Sequence, residues 1–174
     1  MTKHILPFYI FTALSCHTGV NKQWTRPFFS YDEVEYYSTD FPEDDIIQLD
    51  SLRERSTIDG LRASVLLDGR PSSTDDSTAI QSLEKLGFKK RILSNSFKSE
   101  LDKIFSEKMV GEIVAPACIH VYRDILVFKN KSKTIGVAKI CFSCMDAQFT
   151  GTESNTESFG QSGEYDQLQR LLGK

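Results

Sequence analysis

The sequence predicts an α+β domain: a small antiparallel sheet with a C-terminal β-hairpin, covered on one face by two or three helices. Three observations lead there. Residues Ile119 to Phe128 and Thr134 to Phe142 are rich in strand formers and flank the polar loop Lys129-Asn130-Lys131-Ser132-Lys133, which is the pattern of a hairpin. Phe97, Leu101, Ile104 and Phe105 recur at i, i+4, i+7 and i+8 within Ser96 to Glu107, the apolar stripe of a core-facing helix. Helical and extended segments alternate irregularly, without the regular βαβ order of a parallel sheet.

Taken along the chain, Trp24, Phe28, Phe29, Tyr31, Tyr36, Tyr37 and Phe41 make residues 24–41 dense in aromatics, and these rings are expected to fill the core. Val34 to Thr39 reads as a strand stopped by Pro42. Residues 42–62 mix Ile46, Ile47, Leu49 and Leu52 with charges and no clean period, so a short helix or a loop is expected. Ala63 to Leu67 reads as a short buried strand ended by the turn Asp68-Gly69-Arg70-Pro71. The Ser and Asp cluster 72–77 supplies N-cap chemistry for a helix that buries Ile80, Leu83 and Leu86 and ends at Gly87. Capping also accounts better than cation binding for Asp75 and Asp76. Glu112 to Ala117 reads as another strand. Residues 145–163 are rich in Gly, Ser, Thr, Asn and Glu and are expected to form a mobile loop. Tyr165, Leu168, Leu171 and Leu172 mark a short final helix.

The chain has 174 residues, 40% hydrophobic and 26% charged, which suits a single globular domain over residues 24–174 and excludes disordered, collagen-like or multi-spanning classes. Net charge is −3; Lys3 is the only charged side chain among residues 1–15, so the remainder carries −3 − 1 = −4. That balance disfavours a nucleic-acid partner.

The N-terminus carries an address. Lys3 precedes the uncharged run Ile5 to Leu14, and Ala13-Leu14-Ser15 brings small residues up to Cys16, the layout of a secretory signal over residues 1–15. Ten helical residues reach only about 15 Å, roughly half a bilayer core, so the run is too short for a permanent span. Cys directly after Ser15 resembles the bacterial lipoprotein signal, in which that Cys becomes the lipidated first residue of the mature protein. Such signals usually have Leu three places before the Cys; here that place is Ala13, and Leu14 follows it. The resemblance implies acyl chains on Cys16, residues 16–23 as a tether, and a membrane-surface location at the cell envelope. With His17 rather than Asp after Cys16, it points to an outer rather than an inner membrane.

With Cys16 assigned to lipid, Cys118, Cys141 and Cys144 remain, an odd number for an oxidising compartment. A structural disulfide is the preferred reading. A hairpin centred on Lys131 pairs positions that sum to 262, which sets Cys118 opposite Cys144, whereas Cys141 and Cys144 in one extended strand would be about 10 Å apart. Closing that loop of about 26 residues stabilises by about 3 kcal/mol in the chain-entropy description. A zinc site is the alternative, because Cys118, His120, Cys141 and Cys144 supply three sulfurs and an imidazole. A thioredoxin-like redox pair at Cys141 and Cys144 lacks the helix that would follow it. His120 is the only histidine beyond the tether, and no HExxH, phosphate loop, dinucleotide fingerprint or GxSxG motif is present.

Cys118, Arg123-Asp124, Ile125 to Phe128, Ile140-Cys141-Phe142-Ser143-Cys144, Phe159-Gly160 and Tyr165-x-x-Leu168 together resemble a group of bacterial lipoproteins and exported proteins that share an ICFxC strand end. The likeness spans about a third of the chain. It implies the envelope address and linked roles for the cysteines, and nothing catalytic. A non-enzymatic, lipid-anchored protein with a binding or structural role is therefore expected, without a cofactor. The alternative is a thiol or zinc protein using Cys118, His120, Cys141 and Cys144.

Overall fold

Strand-forming residues from three separated stretches and one hairpin meet in a five-stranded antiparallel sheet. It is described here from a computed structural model covering residues 26–51, 56–67, 69–109 and 118–174. The leader expected over residues 1–15, Cys16 and the tether expected over 16–23, Trp24, and the strand expected over Glu112 to Ala117 lie outside the described residues.

The strands are β1 (Glu33–Ser38), β2 (Lys89–Ile92), β3 (Asp124–Asn130), β4 (Lys133–Cys141) and β5 (Asp146–Thr150), in the spatial order β2-β1-β3-β4-β5. The helices are α1 (Glu43–Ser51), α2 (Thr57–Leu66), α3 (Ser77–Ser82), α4 (Lys98–Ile104) and α5 (Glu164–Leu172). The chain is thus α+β, as its sequence predicts.

Both faces of the sheet are covered, not one. On the first face α4 and α5 pack Leu101, Ile104, Leu168 and Leu172 against Val34, Tyr36, Leu126, Phe128 and Ile140. On the second, α1, α2 and α3 bring Ile46, Val65, Leu66 and Ile80 onto Tyr37, Ile125, Val127 and Val137. Central strand β3 is dry on both sides, with Ile125, Leu126, Val127 and Phe128 fully buried. Its unbroken apolar run is what a strand between two helical layers requires. Edge strand β2 differs: Lys89, Lys90, Arg91 and Ile92 are all exposed, and its charges blunt an edge that could otherwise pair with another chain.

Two expected elements take another form. Ala63 to Leu66 is the last turn of α2, not a strand; Ser56 caps that helix by accepting the Asp59 N–H at 3.1 Å. A short apolar run has no period of its own, and here a capped helix precedes it. Residues 145–163, expected as a mobile loop, contain β5 and seat Phe159 in the core against Phe105 and Phe149. The capping reading of Asp76 holds: it accepts from Ala79 N–H at 3.3 Å and pairs with Arg70 at 2.6 Å.

The β3–β4 turn is tighter than the loop suggested by sequence. Lys131 and Ser132 alone connect the strands, both at positive φ (49° and 65°), the backbone of a type I′ turn. An irregularity beside Phe128 and Lys129 then shifts the register, so that paired positions sum to 264 along most of the hairpin, as in Val127 with Val137.

Gly136 faces Phe128 across that hairpin, and the Phe29 ring stacks on Phe128 at 4.3 Å directly over it. A Cβ at position 136 would overlap the Phe29 ring. On the second face Glu35 is buried, held by Lys90 and Lys129, each at 2.6 Å, and by the Tyr37 hydroxyl at 2.9 Å. Burial alone would raise its carboxyl group; the bonds from Lys129, Lys90 and Tyr37 outweigh that and hold it below the ordinary carboxylate range. Burial and the Glu35 carboxylate in turn push the Tyr37 hydroxyl up to about 12.

Gly136→Ala is expected to destabilise the fold by about 1–3 kcal/mol through forced displacement of Phe29, read from urea unfolding. Glu35→Gln is expected to cost about 2 kcal/mol at pH 7. Because the folded-state carboxyl is depressed, Glu35 contributes fully above its unfolded value and loses that contribution as pH falls through the folded one. The stability gap between wild type and Glu35→Gln should therefore close in acid, and a gap independent of pH would refute the ion-pair account.

Candidate functional site

Strand β4 ends at Cys141, and residues 142–145 turn the chain into β5, whose first residue Asp146 pairs back with Cys141. The described chain resumes at Cys118, on a non-strand segment that runs into β3 beside this turn. Its hydrogen bonds fix it there: Tyr122 N–H donates to the Leu66 carbonyl at 2.9 Å, and Arg123 Nε donates to the Phe41 carbonyl at 2.8 Å. The neighbouring Asp124 accepts from the Tyr36 hydroxyl and from Lys174 Nζ.

Two short segments are thereby juxtaposed. The Cys118 and Cys144 sulfurs lie at disulfide distance, with their Cα atoms 6.1 Å apart. The pair expected from the sequence does meet, although by another route. Cys118 stands outside β3 and Cys144 lies in the turn, so they are not opposed ladder residues. Within the C-x-x-C, the turn replaces the extended strand that would have held the two cysteines far apart.

His120 joins this pair. Among the described residues Cys118, His120 and Cys144 form one group, their ligand atoms all within 4.8 Å of one another. Cys141, the fourth member of the expected zinc set, is not in that group. Its thiol is buried beside Tyr122 and Cys144, where it accepts the Val121 N–H at 3.4 Å and lies 3.4 Å from the Ser143 hydroxyl.

Two further residues complete the site and were not singled out by sequence. Asp146 Oδ2 lies 3.8 Å from His120 Nδ1 and accepts the Tyr122 hydroxyl at 2.5 Å. Tyr122 is fully buried, and Lys139 Nζ sits over its ring at 4.4 Å. Burial first, and then the Asp146 carboxylate, hold the Tyr122 hydroxyl well above its ordinary range, so it remains a donor. Nothing in the spacing of Asp146 marks it, because the turn that aims it at His120 is legible only in three dimensions.

Away from this group, a recess of about 730 Å³ opens between residues 27–30 and α4, lined by Phe29, Ser30, Asn95, Ser99, Asp102 and Ser106 among others. It offers hydroxyls, an amide and charges, but no cysteine or histidine. Among the described residues no helix is long and apolar enough to cross a membrane.

If the Cys118–Cys144 bond is present in the native protein, denaturation without reductant should expose two thiols in the unprocessed chain, Cys16 and Cys141, and one if Cys16 carries lipid. Two further thiols should appear on reduction. Thiol titration with and without reductant counts them; appearance of all the thiols before reduction would refute the bond. No family model, curated protein or solved structure matches the chain.

Proposed function

We propose that this chain is a lipid-anchored protein of the bacterial cell envelope, non-enzymatic, with a binding or structural role, and that a Cys118–Cys144 disulfide staples its C-terminal half. The observation that carries the reading is the pair of sulfurs at disulfide distance in a chain whose leader resembles a lipoprotein signal. A disulfide persists in an oxidising compartment, and export through such a signal delivers the chain to one. The resemblance assigns Cys16 to lipid, which leaves Cys141 as the odd thiol; its burial protects it from oxidation and exchange.

The partner side of the proposal rests on an anchor and a surface. Several acyl chains on Cys16 would hold the protein stably on a membrane, the outer one by the resemblance, while one chain alone binds only marginally. The recess between residues 27–30 and α4 lies close in sequence to the anchor and presents hydrogen-bonding side chains. Net charge of −3 argues against nucleic acid as the partner.

Intact-mass analysis of protein extracted from membranes tests the address. The expected species begins at Cys16, carries fatty acyl mass, and lacks residues 1–15; Cys16→Ala should move the protein out of the membrane fraction. A full-length chain that still begins at Met1 and is recovered from the cytosol would overturn the proposal.

A further inference from the structure

A disulfide staple needs two cysteines and suitable backbone geometry, and nothing else. Here the sulfur pair is accompanied by an imidazole, and behind the imidazole stands a carboxylate held in place by a buried tyrosine. His120 belongs to the same 4.8 Å group as Cys118 Sγ and Cys144 Sγ. Its Nδ1 is turned towards Asp146, 3.8 Å away, and Asp146 accepts the Tyr122 hydroxyl. Closing that 3.8 Å gap to a hydrogen bond would leave Nε2 as the nitrogen for a ligand. That is the arrangement by which an outer-shell carboxylate fixes the orientation and tautomer of a metal-binding histidine.

We propose that Cys118, His120 and Cys144 form a three-ligand zinc site that becomes competent when the Cys118–Cys144 bond is reduced, with Asp146 as the outer-shell acceptor for His120. The inference does not rest on the envelope address, since it concerns the reduced chain wherever that chain is found. Reduction requires a named donor: a dithiol passes two electrons and two protons to the bridge, leaving its own disulfide and two cysteine thiols. Zinc then replaces the two thiol protons, which are released to solvent, and takes the imidazole as its neutral third ligand.

The dimensions suit that ion. Tetrahedral zinc, with Zn–S near 2.3 Å and Zn–N near 2.0–2.1 Å, places its ligand atoms about 3.5–3.8 Å from each other. The sulfurs must separate from bonding distance to reach this spacing, and the separations to His120 need close by no more than about 1.3 Å. Cys118 is exposed and His120 half-exposed, so the ion has a path from solvent. Two thiolates and an imidazole are a soft, nitrogen-bearing set that favours zinc over calcium or magnesium. Three protein ligands leave one tetrahedral position for water. Cys141 takes no part, because its sulfur is directed to the Val121 amide instead.

The full chain is reduced with a phosphine, freed of reductant, and titrated with zinc against a chromophoric chelator; cobalt is titrated in parallel for its thiolate charge-transfer band. One equivalent of zinc is expected after reduction and none before. His120→Ala should weaken binding at least tenfold, and Asp146→Asn by about 10–100-fold. Cys141→Ser should keep both stoichiometry and cobalt spectrum. Circular dichroism on each variant checks that it is folded, and the wild-type cobalt spectrum reports thiolate ligation even where a variant is lost. The proposal is overturned if the reduced wild type takes up no zinc, if His120→Ala binds as tightly as wild type, or if Cys141→Ser abolishes binding as completely as Cys144→Ser.

Discussion

Everything in this fold is arranged around a strand with no wet side. The run Ile125 to Phe128 in β3 is fully buried between two helical layers, and its neighbours β1 and β4 share that burial over most of their length. A sheet closed on both faces leaves no water for any charge that its strands carry inward, so each must be answered by the protein itself. Glu35 is answered by two lysines and a tyrosine, and Asp124 by Tyr36 and Lys174. These pairs fix register as much as they stabilise. A slip of one residue would send Glu35 to the opposite face and strand Lys129 without its carboxylate.

The same constraint shapes the site. Lys139 follows the apolar run of β4 and is buried, with its ammonium over the Tyr122 ring. The Tyr122 ring takes that cation on its face while its hydroxyl donates to Asp146. Asp146 is thus held by the core on one side and faces His120 on the other. The exposed Cys118 and half-exposed His120 are accordingly backed by the buried Tyr122 and its partner Asp146. Such support from the core is what the proposed ligand group would need to be held in place.

How much of this could be read from the sequence depends on whether the signal was local. The stripe Phe97, Leu101, Ile104, Phe105 and the final Tyr165, Leu168, Leu171, Leu172 are helical periods complete in themselves; both face the core, although the first helix is shorter than Ser96 to Glu107, with Phe97 in a 3-10 turn before α4 and Phe105 just past its end. The aromatic cluster of residues 28–37 likewise fills the core. Ala63 to Leu67 carried no period, and the capping Ser56 that turns it helical lies seven residues upstream. Residues 145–163 misled through their polarity, because β5 is a half-buried edge strand and only Phe149 and Phe159 announce its attachment. The meeting of Cys118 with Cys144 was legible, but its route was not. The hairpin's two-residue turn and its register irregularity moved the ladder, while the turn at 142–145 restored the contact. Asp146 and Tyr122 could not be found at all, since they become partners only when that turn is made.

The two chemistries proposed for this sulfur pair exclude one another, and that exclusion is itself informative. Bonded to each other, Cys118 and Cys144 tie the entry to β3 to the β4–β5 turn, with His120 beside Asp146 and the Tyr122 ring. Separated, they would release that tie, and the fold would lose the chain-entropy contribution of the closed loop unless an ion restored the link. A zinc ion bridging the same two sulfurs does restore it, with His120 as a third attachment from the same segment. Either chemistry therefore joins the same two pieces of backbone, and the fold need not choose between them. The compartment's electron supply makes that choice, through whether two electrons rest on the sulfurs or in a bond between them. The fold's own contribution is the invariant part, a cysteine presented from each of two segments and a histidine braced by Asp146 beside them.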